Sequence, residues 1–144
     1  MKIFTIGFTK KSAEDFFSLL NNPDIQRLVD VRLNNVSQLA AFTKKDDLRY
    51  FLKAISNIDY VHLPMLAPTK RMLDAYKKNA GDWATYERDF VDLMKERQIE
   101  SKISKDLLAN GCLLCSEEKA DYCHRRLVAE YLREKWGDVV ISHL

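Results

Sequence analysis

Short runs of β-branched and apolar residues alternate along this chain with stretches whose apolar side chains recur at helical spacing. That alternation limits the fold more than any other feature. "KIFTIG" (residues 2–7) reads as a first strand. Ser12 then caps a helix through "AEDFFSLLNN", where Phe16, Phe17, Leu19 and Leu20 share a side. "RLVDVR" (27–32) is a second strand. A helix started by Thr43, with Asp46 three residues on, carries Leu48, Phe51, Leu52 and Ile55 on one face. "DYVHL" is a third strand, ended by Pro64. Thr69 to Ala109 is helical, in two or three helices with a break near "NAGD". "GCLLC" (111–115) is a fourth strand. A helix from about Asp121 to Trp136 stops at Gly137, and "DVVISHL" is the last strand. Several of these strands are continuously apolar, as strands covered on both faces must be. The expectation is an α/β fold, a mainly parallel sheet of about five strands with helices on both faces.

Length and composition narrow the class further. The 144 residues suit one α/β domain spanning 1–144, long enough for a proper core. An apolar fraction of 47% beside 31% charged residues is that of an ordinary globular protein. No apolar run reaches membrane-spanning length, and "MKIFTIGF" lacks the pattern of a secretory signal. A cytoplasmic location is expected, with the three cysteines as free thiols. The net charge of +2 is too slight to announce a nucleic-acid binder, so only a local patch could serve.

Such a patch is expected where the strands end. Ligands of parallel α/β sheets bind outside the strands' carboxyl ends. Thr9, Lys10 and Lys11 follow the first strand, and Arg32, Asn34 and Asn35 the second. Lys70 and Arg71 follow the third, and His124, Arg125 and Arg126 the fourth. Together they form a cationic edge suited to phosphate, a nucleotide or a nucleic-acid backbone. In "DVR", Asp30 and Arg32 lie two apart and point to one face; Asp30 either orients Arg32 toward a ligand or closes the strand end as an ion pair. Phe8, Phe42, Tyr60, Tyr76, Trp83, Tyr86 and Tyr122 can stack on bases or fill the core.

The connection "CSEEKADYCHRR" (115–126) concentrates the reactive groups. A zinc reading would use Cys112, Cys115, Cys123 and His124. Residues three apart on a strand point to opposite faces, however, and neighbours on a helix diverge, so no metal or cofactor is expected. A thiol reading places Cys115 at a strand end, or Cys123 in the first turn of the following helix. Backbone N–H groups and the helix dipole would lower a thiol's pKa there. His124 would then act as acid or base, and Arg125 or Arg126 as an anion clamp.

Thr5-Ile6-Gly7, Asp30-Val31-Arg32, His62-Leu63-Pro64, Cys115-Ser116-Glu117 and Cys123-His124-Arg125 succeed one another along almost the whole chain. In that succession the chain resembles domain-of-unknown-function (DUF) family 488, whose members commonly read "TIGHS" where this one reads "TIGFT". The resemblance implies a compact α/β protein with a polar site built from those motifs, adding Thr5, Gly7 and His62 to the ligand-binding candidates Thr9, Asp30, Arg32, Arg125 and Arg126. A weaker similarity in layout links it to rhodanese-like and phosphatase-type domains and to a Rossmann-like three-layer sandwich. The favoured expectation is a protein binding an anionic small molecule or nucleic acid and hydrolysing or transferring it, with Glu117 as proton carrier. The alternatives are a cysteine-thiol enzyme using Cys115, Cys123 and His124, and a non-catalytic interaction protein.

Overall fold

The computed structural model describes residues 1–78 and 81–144, the side chains of residues 38 and 39 excepted. Five strands form one parallel sheet: β1 (Lys2–Gly7), β2 (Arg27–Asp30), β3 (Asp59–His62), β4 (Gly111–Cys115) and β5 (Val140–His143). Their order across the sheet is β3-β2-β4-β1-β5. Seven α-helices lie among the described residues. These are α1 (Ala13–Leu20), α2 (Lys45–Phe51), α3 (Lys70–Lys78), α4 (Trp83–Arg97), α5 (Ile99–Lys102), α6 (Lys105–Leu108) and α7 (His124–Trp136). The expected α/β class and parallel sheet are what the chain forms.

Side-chain alternation along the strands divides the core in two. Phe4 and Ile6 of β1, Leu28 of β2, and Cys112 and Leu114 of β4 pack with Phe16, Phe17 and Leu20 of α1 and Leu48 of α2. Ile3, Val29, Leu113 and Cys115 face the other way, toward Phe90 and Met94 of α4 and Leu127, Val128 and Leu132 of α7. Helices therefore cover both faces, as a parallel sheet requires.

Local chemistry sets most boundaries. Ser12 Oγ accepts the Asp15 N–H at 3.1 Å and starts α1, with Glu14 and Asp15 in the first turn favouring the helix dipole. Gly137, at φ 81°, ends α7 by donating its N–H to the Arg133 carbonyl.

Three expected boundaries move. Thr43 does not cap α2; its hydroxyl donates to the Ala40 carbonyl at 2.7 Å and accepts from Arg32 Nη1 at 3.1 Å, and Lys44 takes the N-cap position without a side-chain capping bond. The last long helix begins at His124 rather than near Asp121. The Arg126 guanidinium holds the Asp121 carbonyl, and Cys123 is extended at φ −140°, ψ 138°. The described residues of the segment 69–109 form four helices where two or three were expected. Of the expected break at "NAGD", residues 79 and 80 lie outside the described residues, and the flanking helices end at Lys78 and begin at Trp83.

The strand order also locates a cleft. From β1 the chain steps toward one edge through β2 and β3, then returns to place β4 between β2 and β1. The connections leaving β2 and β4, which are neighbours, therefore run to opposite faces. A crevice opens where such connections part, outside the strands' carboxyl ends.

Candidate functional site

A pocket of about 440 Å³ occupies that crevice. Arg32 and Asn34 reach it from the end of β2, and Cys115, Ser116 and Glu117 from the end of β4. Cys123 and His124 come from the start of α7, and Tyr76, Lys77, Trp83 and Tyr86 from α3 and α4. Tyr122 closes one side, edge-on to Trp83 at 5.7 Å between ring centroids. A second groove, of about 390 Å³, lies between α1 and the turn after α2. Phe17, Phe42, Phe51 and Ile55 line it, with Glu14 as its one ionisable group.

The strand-end carboxylate proves to be a structural hub. Asp30 is fully buried and accepts from Arg32 Nε at 2.9 Å, Arg32 Nη2 at 2.8 Å and the Arg32 backbone N–H at 3.1 Å. Tyr60 Oη donates to it at 2.6 Å, and burial together with that bond keeps the phenol protonated, its pKa well above the ordinary value. Two further Arg32 N–H groups meet Thr43. His62 Nε2 donates to the Arg32 carbonyl at 2.8 Å. Asp30 from inside the protein and the half-buried His62 thus shape the β2 end, and Arg32 alone of the three borders the pocket.

The other arginines explain why this connection carries so many cationic groups. Arg125 has no solvent exposure, donates from Nη1 to the Glu117 carbonyl at 2.6 Å and from Nη2 to the Glu118 carbonyl at 3.3 Å, and reaches Thr5 Oγ1 through Nε at 3.4 Å. Arg126 holds the Asp121 carbonyl and pairs with Glu130 at 2.9 Å. Thr9 adds its N–H and hydroxyl to the Ser116 carbonyl. These donors tie the loop's carbonyls to β1 and α7. Thr5 and Gly7 are buried beneath the loop, and Gly7 pairs with Cys115 in the sheet.

The thiols and imidazole are arranged differently from the expectation. Cys112 does lie on the opposite face of β4 from Cys115, in the other half of the core, where burial pushes its thiol up. Cys123 and His124, however, do not diverge. Cys123 is the extended residue before α7 rather than part of its first turn, so its side chain and that of His124 turn toward the same place. The ligating atoms of Cys115, Cys123 and His124 all lie within 4.8 Å of one another, and all three residues are buried. Cys115 Sγ is 3.4 Å from His124 Nδ1. His124 Nε2 lies 2.7 Å from the Val31 carbonyl, an acceptor only, so Nε2 carries the proton and Nδ1 is unprotonated, while Cys115 Sγ, also 3.7 Å from Nε2, stands over the ring rather than on the Nδ1 lone-pair axis.

Electrostatics distinguish the two neighbouring thiols. Burial opposes ionisation of Cys115. The Cys123 thiol, the Ser116 N–H, the Arg125 guanidinium and the Glu117 N–H outweigh it and hold Cys115 below its ordinary pKa. Cys123 is pushed well above its own, by burial and by the neighbouring Cys115. The pair therefore gives up its first proton more readily than an ordinary thiol, from Cys115, and its second less readily.

A third histidine, unremarked in the sequence, joins the same network from the rear. His143 Nδ1 is 2.6 Å from Thr5 Oγ1, which in turn accepts from Arg125. Burial and the Arg125 charge depress its pKa. The unfolded chain therefore takes up this proton first as pH falls. The contribution of His143 to stability is complete at neutral pH and declines below about 6.5. Urea midpoints at pH 5 and pH 7 are expected to differ less in His143→Gln than in the wild type; an unchanged difference would contradict this.

Of the expected site residues, the pocket gathers Arg32, Cys115, Glu117, Cys123 and His124. Thr5, Gly7, Thr9, Asp30, His62, Arg125 and Arg126 support its walls without lining it. Tyr76, Trp83, Tyr86 and Tyr122 line it, whereas Phe42 lines the other groove and Tyr60 bonds Asp30. Sequence reading passed over Lys77, Leu73, Leu33 and Pro68, which carry no motif and reach the pocket only through the packing of α3 and the adjoining loops. No described helix is long and apolar enough to cross a membrane.

Comparison with curated proteins and with solved structures found no match. The sequence does match the family described as "Domain of unknown function DUF488" over residues 12–132, a span holding every motif of the resemblance except Thr5-Ile6-Gly7, and the chain belongs to that family.

Proposed function

We propose that the protein is a thiol-dependent enzyme with Cys115 as nucleophile and His124 as its base. The contact between Cys115 Sγ and the unprotonated Nδ1 of His124, 3.4 Å apart in the pocket wall, carries this reading. A nucleophile needs a base within reach and a third group fixing that base, and here the Val31 carbonyl supplies the third part. The Ser116 and Glu117 N–H groups and the Arg125 charge favour the thiolate. Walls of Trp83, Tyr86 and Tyr122 suit a substrate with a flat apolar body and an electrophilic centre, while Lys77 offers a cation at the rim. Glu117 lines the same pocket and is placed to carry a proton to a leaving group.

An anionic small molecule or nucleic acid held by an arginine clamp has less support. The donors of Arg32 go to Asp30 and Thr43, and those of Arg125 to Thr5 and loop carbonyls. Arg126 is engaged with Asp121, Glu130 and Glu87.

The test is differential alkylation of reduced, metal-free protein by iodoacetamide at pH 7, read by peptide mapping. Cys115 is expected to react about tenfold faster than a thiol of the urea-unfolded chain, Cys112 hardly at all, and His124→Gln to slow Cys115. A native Cys115 no faster than the unfolded thiol would favour the interaction-protein reading.

A further inference from the structure

We propose that Cys115, Cys123 and His124 form a three-ligand site for a soft divalent cation of the Zn²⁺ class, its fourth coordination position facing the pocket. The proposal goes beyond the thiol reading and does not rest on it. It follows from where the donor atoms sit. Zinc bonds of about 2.3 Å to sulfur and 2.0–2.1 Å to nitrogen place tetrahedral neighbours roughly 3.5 Å apart. Cys115 Sγ and His124 Nδ1 are separated by 3.4 Å, and no two of the three ligand atoms are more than 4.8 Å apart; because Cys115 Sγ is also 3.7 Å from Nε2, over the ring, a turn of its side chain toward Nδ1 completes the coordination.

The surroundings are those a metal ligand needs. A ligating histidine donates its other ring N–H to an oxygen that fixes its tautomer and orientation, and the Val31 carbonyl does this at 2.7 Å. Phe90 packs on the same ring, its centroid 5.4 Å away. Cys123 sits at the N-cap position yet makes no capping bond to its own helix, which leaves its sulfur lone pairs uncommitted there. Cys112 plays no part, because it faces the other half of the core.

Charge and hardness select the cation. Two buried thiolates side by side repel each other and lack hydration. A divalent ion bound to both, with a neutral imidazole, gives a cluster of zero net charge, and its binding releases the two thiol protons. A donor set of two sulfurs and one nitrogen excludes the hard ions Mg²⁺ and Ca²⁺. Among the described residues only these three supply ligands to the cluster, and all three border the pocket. A site with three protein ligands and one open position can bind water or a substrate atom, whereas closed four-ligand sites serve structure alone. Coordination also removes Cys115 from nucleophilic use, so a bound ion and a reactive Cys115 are mutually exclusive states.

The probe is Co²⁺, titrated into reduced, metal-free protein under absorption spectroscopy. One equivalent is expected to produce thiolate-to-cobalt charge-transfer absorption in the near ultraviolet, with Zn²⁺ displacing it. Cys112→Ser should behave as the wild type. Cys123→Ser and His124→Gln should each weaken binding more than about 100-fold, beyond the range that changes in groups behind the ligands produce. The wild-type titration decides the matter even if a variant folds poorly. Absence of the charge-transfer band, or its loss in Cys112→Ser, overturns the proposal. Iodoacetamide separates it from the thiol reading. Rapid Cys115 labelling without a cobalt band leaves the thiol reading standing and removes the metal, and a band without rapid labelling does the reverse.

Discussion

Alanine at position 7 is expected to destabilise the protein by more than about 3 kcal/mol, one of the largest effects available from a single methyl group. A Cβ on Gly7 would overlap the Glu117 carbonyl oxygen and stand 2.7 Å from its carbon, with Arg125 Nη1 at 2.8 Å. Two of those atoms are backbone and cannot rotate away. The methyl must lift the loop after β4 off the end of β1, and that loop is pinned by Thr9 at the Ser116 carbonyl and by Arg125 at the Glu117 carbonyl. Lifting it takes the Glu117 and Glu118 carbonyls away from the buried Arg125 guanidinium, a second cost added to the overlap. Urea unfolding followed by circular dichroism measures the loss. Because the same loop carries the Ser116 and Glu117 N–H groups beside Cys115, alkylation of Cys115 should slow in any Gly7→Ala protein that remains folded. Stability within about 0.5 kcal/mol of the wild type, the usual scatter of harmless substitutions, would mean that β1 and the loop do not meet this closely.

The second large effect is expected at Asp30. Replacing it by alanine should cost about 3–5 kcal/mol, because Arg32 stays buried at 3% exposure with no countercharge. Tyr60 and Asn35 lose an acceptor in the same step. The double variant Asp30→Leu, Arg32→Met separates this penalty from the worth of the pair. Apolar residues filling both positions leave no stranded charge, so the double variant should be more stable than Asp30→Ala alone. A double variant as unstable as the sum of its singles would show that the two side chains do not act as one unit. The contact also bears on the pocket, since Arg32 borders it and is held by Asp30 and Thr43.

Both residues were conspicuous in the sequence. The family resemblance put Gly7 among the ligand-binding candidates, and "DVR" left Asp30 either orienting Arg32 toward a ligand or closing the strand end as an ion pair; in the structure Asp30 pairs with Arg32 and Gly7 lies against the Glu117 carbonyl. An arginine presents the same donors to a phosphate, a carboxylate or a row of backbone carbonyls, so sequence cannot distinguish these fates. Arg125 makes the point most clearly, as a fully buried cation whose hydrogen-bond partners are carbonyls and a hydroxyl.

What the sequence determined by itself is what short-range periodicity can encode. Alternation of extended and helical patterns dictated a parallel sheet covered on both faces, and with it the edge at which the polar loops emerge. The two-residue period of β4 separated Cys112 from Cys115, because that relation depends only on strand geometry. Tertiary structure alone decided the meeting of Cys115, Cys123 and His124. It depends on how residues 116–122 fold back, and carbonyl contacts from Thr9, Arg125 and Arg126 at both ends of the chain fix that path. The aromatic walls likewise come from α3 and α4, which reach the β4 end only because the chain crosses back over the sheet between β3 and β4. Local propensity records the conformation of each segment, whereas these contacts are set by the packing of segments far apart in sequence.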